Sequence, residues 1–323
     1  MTEDTIIGLI TSIIEFGTLL YLAALGETIA EKSGVLNLGV EGMMAVGAMA
    51  SFWIGAETGS PWLALLFAIL VTGAFAMIHG IASVVVGADQ VVSGLALTIL
   101  GLGLAAFFGQ SLALTTILST ARFEAVALGP LSNIPWLGDT IFSLDALSWL
   151  AVLAGVGSWF ILTRTRMGLS LRAVGESAAT ADAAGTKVVA TRLAAVAIGG
   201  GFAGAAGTYL SLVLAPGWSE GATGGLGWIA VALVIFGAWK PGRVLFGSLL
   251  FGGLIALGPR LQTFRCQEGE NVACLNFEVD PTLVSMLPYV LTVIVLIALS
   301  IRSRNRPSIA PAAIGHAYRR EER

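Results

Sequence analysis

The sequence predicts an all-α, polytopic transmembrane helical bundle of about nine spans, with eight to ten admissible. Three observations predict it. Of 323 residues, 56% are hydrophobic and only 11% are Asp, Glu, Lys or Arg, against about 25% charged in an ordinary soluble domain. The apolar residues are gathered into runs long enough for a hydrocarbon layer of about 30 Å. The runs also lack the alternating polarity of outer-membrane strands. Finally, the chain holds 41 glycines, which let helices approach closely where water supplies no driving force.

The first run is Ile6 to Leu25, interrupted only by Glu15. Its leading residues, Thr2-Glu3-Asp4, lack a basic n-region, so a retained span is expected rather than a cleaved signal. Val35–Ala56, Trp62–Val86, Val91–Phe108 and Leu144–Leu162 follow. The second half adds Leu193–Leu214, Trp228–Trp239, Val244–Leu257 and Leu283–Ile301. Trp228–Trp239 is short, and Val35–Ala56 carries Glu41 and several glycines. One of the nine is therefore expected to be broken or re-entrant. Residues 1–301 read as one membrane domain, with a cytoplasmic segment 164–192 and outside loops 110–143 and 258–282. Residues 302–323 read as a mostly disordered tail.

Basic residues set the orientation. Alternate connections hold Lys32, Arg164, Arg166, Arg172, Lys187, Arg192, Lys240 and Arg243, and the tail adds Arg302, Arg304, Arg306, Arg319, Arg320 and Arg323. The opposite group holds only Arg122, Arg260 and Arg265. Fourteen against three places the first group and the carboxy terminus in the cytoplasm and the chain in a cytoplasmic membrane. Cys266 and Cys274 then share an outside loop. A disulfide fits an oxidising compartment, and two separate thiols fit the spacing equally well.

Polar residues inside spans are the candidates for function. Asn37 and Glu41 lie four residues apart and are expected on one helical face, lining a pathway, holding a broken helix, or clamping two helices. Glu27, Glu31 and Lys32 are expected at the solvated interface. Gln90, Ser93 and Thr98 form a second polar cluster, behind Asp89. Gly199, Gly200, Gly201, Gly204 and Gly207 predict a flat packing face. Residues 172–184 are rich in Ala with scattered polar groups, predicting one short surface helix with Gly185 as its C-cap. Such a helix suits docking into a groove on another protein, or resting on the membrane.

Enzyme chemistry has little to work with. His79 and His316 are the two histidines, no residues show metal-ligand spacing, and no cofactor is expected. None of Lys32, Lys187 and Lys240 lies in a phosphate-cradling Gly-rich loop, so this chain does not hydrolyse ATP alone.

The run GETIAEKSGVLNLGVEGMMAVGA, from Gly26 to Ala48, resembles a signature of permease subunits of ATP-binding-cassette importers. The subgroup carries nucleosides and simple sugars and is related to the ribose and branched-chain amino-acid permeases. RAVGESAATADAAGT resembles that family's ATPase-coupling loop, with Arg172, Ala173, Gly175, Glu176, Ala183, Ala184 and Gly185 in its pattern. Thr186 departs from the more usual Ile. GWIAVALVIFGAWKPGRVLFGSLLFG, Gly227 to Gly252, resembles a third block. The resemblance implies a transport subunit, with ATP and Mg on partner ATPase subunits. It also implies a second permease subunit, an extracytoplasmic solute-binding protein, surrounding lipid, and no nucleic acid polymer. A nucleoside is the first solute implied and a simple sugar the second. An ion-coupled secondary transporter is the competing class, and Glu15 and Glu41 are its support.

Overall fold

A computed structural model describes residues 3–112, 121–126, 129, 132, 134, 137–263, 283–284, 286–303 and 310–318. Helices account for nearly all of its regular structure, and the pairing of Ala125 with Asp145 is an isolated bridge. The elements are α1 (Glu3–Lys32), α2 (Val40–Thr58), α3 (Pro61–Gly80), α4 (Gln90–Gly109) and the single turn α5 (Leu137–Thr140). They continue as α6 (Ala146–Arg164), α7 (Arg166–Glu176), α8 (Ala178–Ala183) and α9 (Val188–Tyr209). The last three are α10 (Leu226–Phe236), α11 (Pro241–Thr263) and α12 (Leu287–Ser303). Wide π-type turns, Ile81–Val86 and Leu210–Leu214, prolong α3 and α9.

The helix starts follow from side chains that take up the first free N–H groups. Ser60 accepts from Leu63 ahead of Pro61, Asp89 accepts from Val92 at 2.9 Å, and Asp145 accepts from Ser148 at 2.9 Å. Gly59 closes α2 in the left-handed conformation, at φ 65°.

Each of the nine apolar runs meets one of nine helices among the described residues, but six are long and apolar enough to cross a membrane. These are Ile6–Lys32, Pro61–Val86, Gln90–Leu112, Ala146–Arg164, Val188–Leu214 and Pro241–Gly258. Three helices fall short: α2, at 19 residues, carries Glu41, Glu57 and several glycines and is too weakly apolar, α12 has only 17 residues, and α10 is shorter still. Residues 33–39 are held in irregular backbone by side-chain hydrogen bonds, so α2 starts at Val40 rather than Val35. The 11 residues of α10 span only about 16 Å at 1.5 Å per residue.

The centre of the bundle is α9. Its glycines do not share one flat face as expected. Gly199 meets Gly26 of α1, Gly200 meets Thr72 and Ala76 of α3, and Gly207 meets Met44 and Ala48 of α2. Small residues all round one helix let three neighbours close on it at backbone distance. On the far side of α1, Gly17 and Gly252 bring α11 into contact, while Gly42 and Gly101 bring α2 against α4. The apolar side chains left exposed on α3, α4 and α6, such as Leu70, Ile99 and Phe160, suit a lipid surround.

The basic residues gather at one end. Gly175 packs on the Lys32 carbonyl, Arg192 donates to Ser33, and Trp239 beside Lys240 donates to Glu31. Arg122 lies in the connection between α4 and α6.

Candidate translocation pathway and coupling face

Residues 33–39 return from the basic end into the bundle, and almost every polar group near them is used. The Asn37 N–H donates to Glu27 at 3.0 Å, and Asn37 Oδ1 accepts from Gly39 at 2.9 Å. Gln90 Oε1 accepts from Leu36 at 2.7 Å, and Thr98 donates to the Leu38 carbonyl at 2.8 Å. His79 bridges Ser93, at 2.7 Å, and the Leu36 carbonyl, at 3.1 Å. Irregular backbone inside a membrane protein must be satisfied in this way, since each unpaired group would cost several kcal/mol.

Two expectations are corrected here. Asn37 precedes α2, so it shares no helical face with Glu41. Glu27 and Glu31 are not at a solvated interface: both are 1% exposed, with Glu31 accepting from the Trp239 indole. Asn37, Gln90, Ser93 and Thr98 therefore build the re-entrant turn, and Asn37, Gln90 and Thr98 are buried.

Glu41 clamps another element. Its carboxylate accepts from Gly225, at 2.9 Å, and Gly227, at 2.7 Å. Both donors lie at the start of α10, where unpaired N–H groups and the helix dipole favour an anion. A Cβ on Gly227 would sit 2.6 Å from Glu41 backbone, so glycine is required for that approach. Gly42 touches Thr98 and Gly101, eight and eleven residues beyond Gln90. At 1.5 Å per residue this puts the clamp ~12–16 Å along α4 from Gln90 at the basic end.

Between the end of α9 and this clamp runs residues 215–225, which sequence reasoning missed. Ala215, Pro216, Ser219, Glu220, Gly221 and Gly224 are exposed, and four glycines take positive φ. Trp218 packs against Gly109 of α4, where any side chain would displace the indole. A cavity of about 330 Å³ adjoins Trp218, bounded by Ala48, Leu210, Ser211, Ala215 and Ala222. A smaller hollow on the α4 side is bordered by Ala106, Glu220 and Thr223. The only sequence signal was composition: Ala-Pro-Gly-Trp-Ser-Glu-Gly-Ala-Thr-Gly-Gly breaks the hydrophobic pattern between two runs.

At the basic end the expected single surface helix is two, α7 and α8. Ser177 breaks it: extended at φ −151°, it ends α7 and accepts from Thr180 to cap α8. Gly185 follows α8 in the left-handed region at φ 85°, with Thr186 donating to Ala181 as the chain turns away. Arg172, Glu176, Ala183, Ala184 and Gly185 are exposed on the outer face, with Met167 and Leu169 beside them. Ala173 is half-buried. Gly175 is buried, seated on the Lys32 carbonyl where a Cβ would collide.

Residues 310–318 correct the expectation of a disordered tail for that stretch. Ala313 donates to the Gly175 carbonyl at 2.8 Å, and Gly315 donates to Gln90 Oε1 at 3.2 Å. Arg192, 1% exposed, donates to His316 at 3.1 Å and to Ser33 at 3.2 Å. Tyr318 donates to Asp182 at 2.9 Å and packs on a cluster of Val174, Ala178, Ala181 and Val188. This strap joins the α7–α8 face to the re-entrant turn. Cys266 and Cys274 lie outside the described residues.

Six membrane-length helices among the described residues, packed with a shorter apolar helix, define a multi-pass membrane protein. The family of the permease component of branched-chain amino acid transport systems matches residues 9–296. The chain belongs to that family: it is a permease component and not itself an ATPase. A Haloferax volcanii protein provisionally named a glucose ABC transporter permease is 41% identical over 322 residues, covering 97% of this chain and 98% of its own. A guanosine ABC transporter permease of Bacillus subtilis is 36% identical over 307 residues, covering 89% and 92%. A nucleoside ABC transporter permease of Lactococcus lactis subsp. cremoris is 32% identical over 320 residues, covering 96% of each. No solved structure matches the chain significantly.

Proposed function

We propose that this chain is a permease subunit of an ATP-driven importer that moves a nucleoside across the cytoplasmic membrane. The observation that carries the transport reading is the wall formed by residues 215–225. Ala106 lies sixteen residues beyond Gln90, so Glu220, bordering the same hollow, sits ~24 Å from the basic end. That is inside a ~30 Å hydrocarbon layer. An exposed carboxylate and exposed irregular backbone do not face lipid at that depth. They face a water-filled path, which a second permease subunit would close from the other side.

The remaining parts follow from the faces described. The charge asymmetry supports placing α7, α8 and the strap in the cytoplasm, with the carboxy-terminal residues. The exposed ridge of Arg172, Glu176, Ala183, Ala184 and Gly185 is the docking face for ATPase subunits that hold ATP and Mg. An extracytoplasmic binding protein would deliver solute to the opposite end. Closure of the ATPase pair would pull α7–α8. Gly175 and the strap would pass that motion to the re-entrant turn, and Glu41 would carry it from α2 to α10. Coupling of this kind is reciprocal, so solute delivery also biases the ATPase.

Nucleoside rests on the likeness to the nucleoside and guanosine permeases. The higher identity to the glucose-named protein supports a second reading, a hexose. The test is reconstitution of the chain with its neighbouring permease, ATPase and binding protein in liposomes. ATP-dependent uptake of guanosine above that of glucose is expected. Uptake of glucose alone replaces the nucleoside reading with the hexose one. Uptake driven by a proton or sodium gradient without ATP overturns the importer reading.

A further inference from the structure

We propose that Trp218 is the stacking platform of a solute-resting site in the wall formed by residues 215–225. This rests on the reading of that wall as the translocation path. The cavity beside it holds about 330 Å³, within the range of about 300–1,000 Å³ for small-molecule sites. Trp218 is half-buried and stands between this cavity and the smaller hollow, lining both. Its indole lies directly against Gly109 of α4, where a Cβ would collide with the ring.

The surroundings are small on the apolar side and polar at the rim. Ala48 and Ala222 leave room over the cavity. Ser211 borders it from the π-type turn and is tied to Ser51 at 2.9 Å. A π-type turn of this sort widens a helix and is frequent at functional sites. Glu220 offers exposed carboxylate oxygens as acceptors for hydroxyl groups. Thr223 borders the smaller hollow, and the residue is 2% exposed. Its hydroxyl has no hydrogen-bond partner among the described residues. A buried hydroxyl left unpaired costs stability, and a solute hydroxyl would satisfy it.

An aromatic face flanked by hydroxyl and carboxylate groups selects one chemistry. It suits a neutral solute with one flat or C–H-rich face and a ring bearing several hydroxyls. A nucleoside meets this with its base on the indole, where base–aromatic stacking is favourable. A hexose meets it with the C–H face of its ring. The two are separated by the assay below.

The reconstituted importer is tested with Trp218→Ala, Trp218→Phe and Glu220→Gln, measuring concentration dependence of guanosine and glucose uptake. Trp218→Ala is expected to raise the half-saturating concentration of the transported solute at least tenfold. Trp218→Phe should restore most of the loss for a nucleoside, whose base stacks on any aromatic plane. Glu220→Gln should weaken uptake of hydroxyl-rich solutes about threefold. In a separate experiment, wild-type complex is photolabelled with an azido-purine nucleoside and the label is mapped. Label on residues 215–223 supports the site even where a variant fails to assemble. Unchanged concentration dependence of the transported solute in Trp218→Ala, or, where the complex transports guanosine, label only elsewhere, overturns the proposal while leaving the importer reading in place. Loss of ATP-dependent uptake by the wild-type complex is a failure of that earlier reading instead.

Discussion

Removing the carboxylate of Glu41 tests the central joint of the bundle. The side chain is 4% exposed and takes two backbone N–H groups, at 2.9 and 2.7 Å. Hydrogen bonds to a charged group contribute about 1.5–3 kcal/mol each, so Glu41→Ala should cost about 3–6 kcal/mol. Glu41→Gln keeps one acceptor but turns an amide donor toward the second N–H, so it should lose roughly half that amount or more. The purified protein in detergent is unfolded by heat with intrinsic fluorescence as the signal. Accessibility of a cysteine placed at Leu226 reports α10 directly. Glu41→Ala should melt at markedly lower temperature and expose position 226 first. Wild-type stability and protection in Glu41→Ala would refute the clamp and with it the route from α2 to α10.

Three further outcomes follow from other contacts. Glu176→Lys should leave thermal stability within about 0.5 kcal/mol of wild type, because the side chain is exposed, yet reduce copurification of the ATPase subunits; Gly175→Arg should lower stability itself, since the added side chain meets the Lys32 carbonyl. Ending the chain after residue 309 should uncouple transport, read as a several-fold fall in solute moved per ATP hydrolysed, with Tyr318→Phe giving a smaller fall in the same ratio. Gln90→Leu strips the acceptor shared by Leu36 and Gly315; at about 1–3 kcal/mol for each buried donor left unpaired, a lower melting temperature is expected in the same thermal assay.

Hydrophobic runs and helix type were legible because length and apolarity are local properties. The depth of those runs was not. Val35–Ala56 reads as a continuous span, and only the bonds from Glu27 and Gln90, 10 and 54 positions from their partners, explain why its first residues are not helical. The same nonlocality hid Glu27 and Glu31. Charge at the end of a run reads as solvated, whereas Asn37 and Trp239 supply the partners that let both be buried. Spacing put Asn37 and Glu41 on one face by assuming a helix that begins three residues further on. Residues 172–184 were recognisable as a surface segment, although Ser177 divides them. The wall at 215–225 carried no motif; its interest arises from depth, which belongs to the assembled bundle.

The shortness of α10 has a consequence for how the chain is made. An insertion machine that partitions segments into lipid by apolar length has 11 residues to act on here, about half of what a spanning helix needs. Its leading amides find their acceptor on Glu41, 184 and 186 positions earlier. Biogenesis must therefore be ordered: α1 and α2 have to be in the membrane and in place before α10 can settle. A damaged early half would strand the later one, which makes the Glu41 contact a checkpoint on assembly as well as a joint.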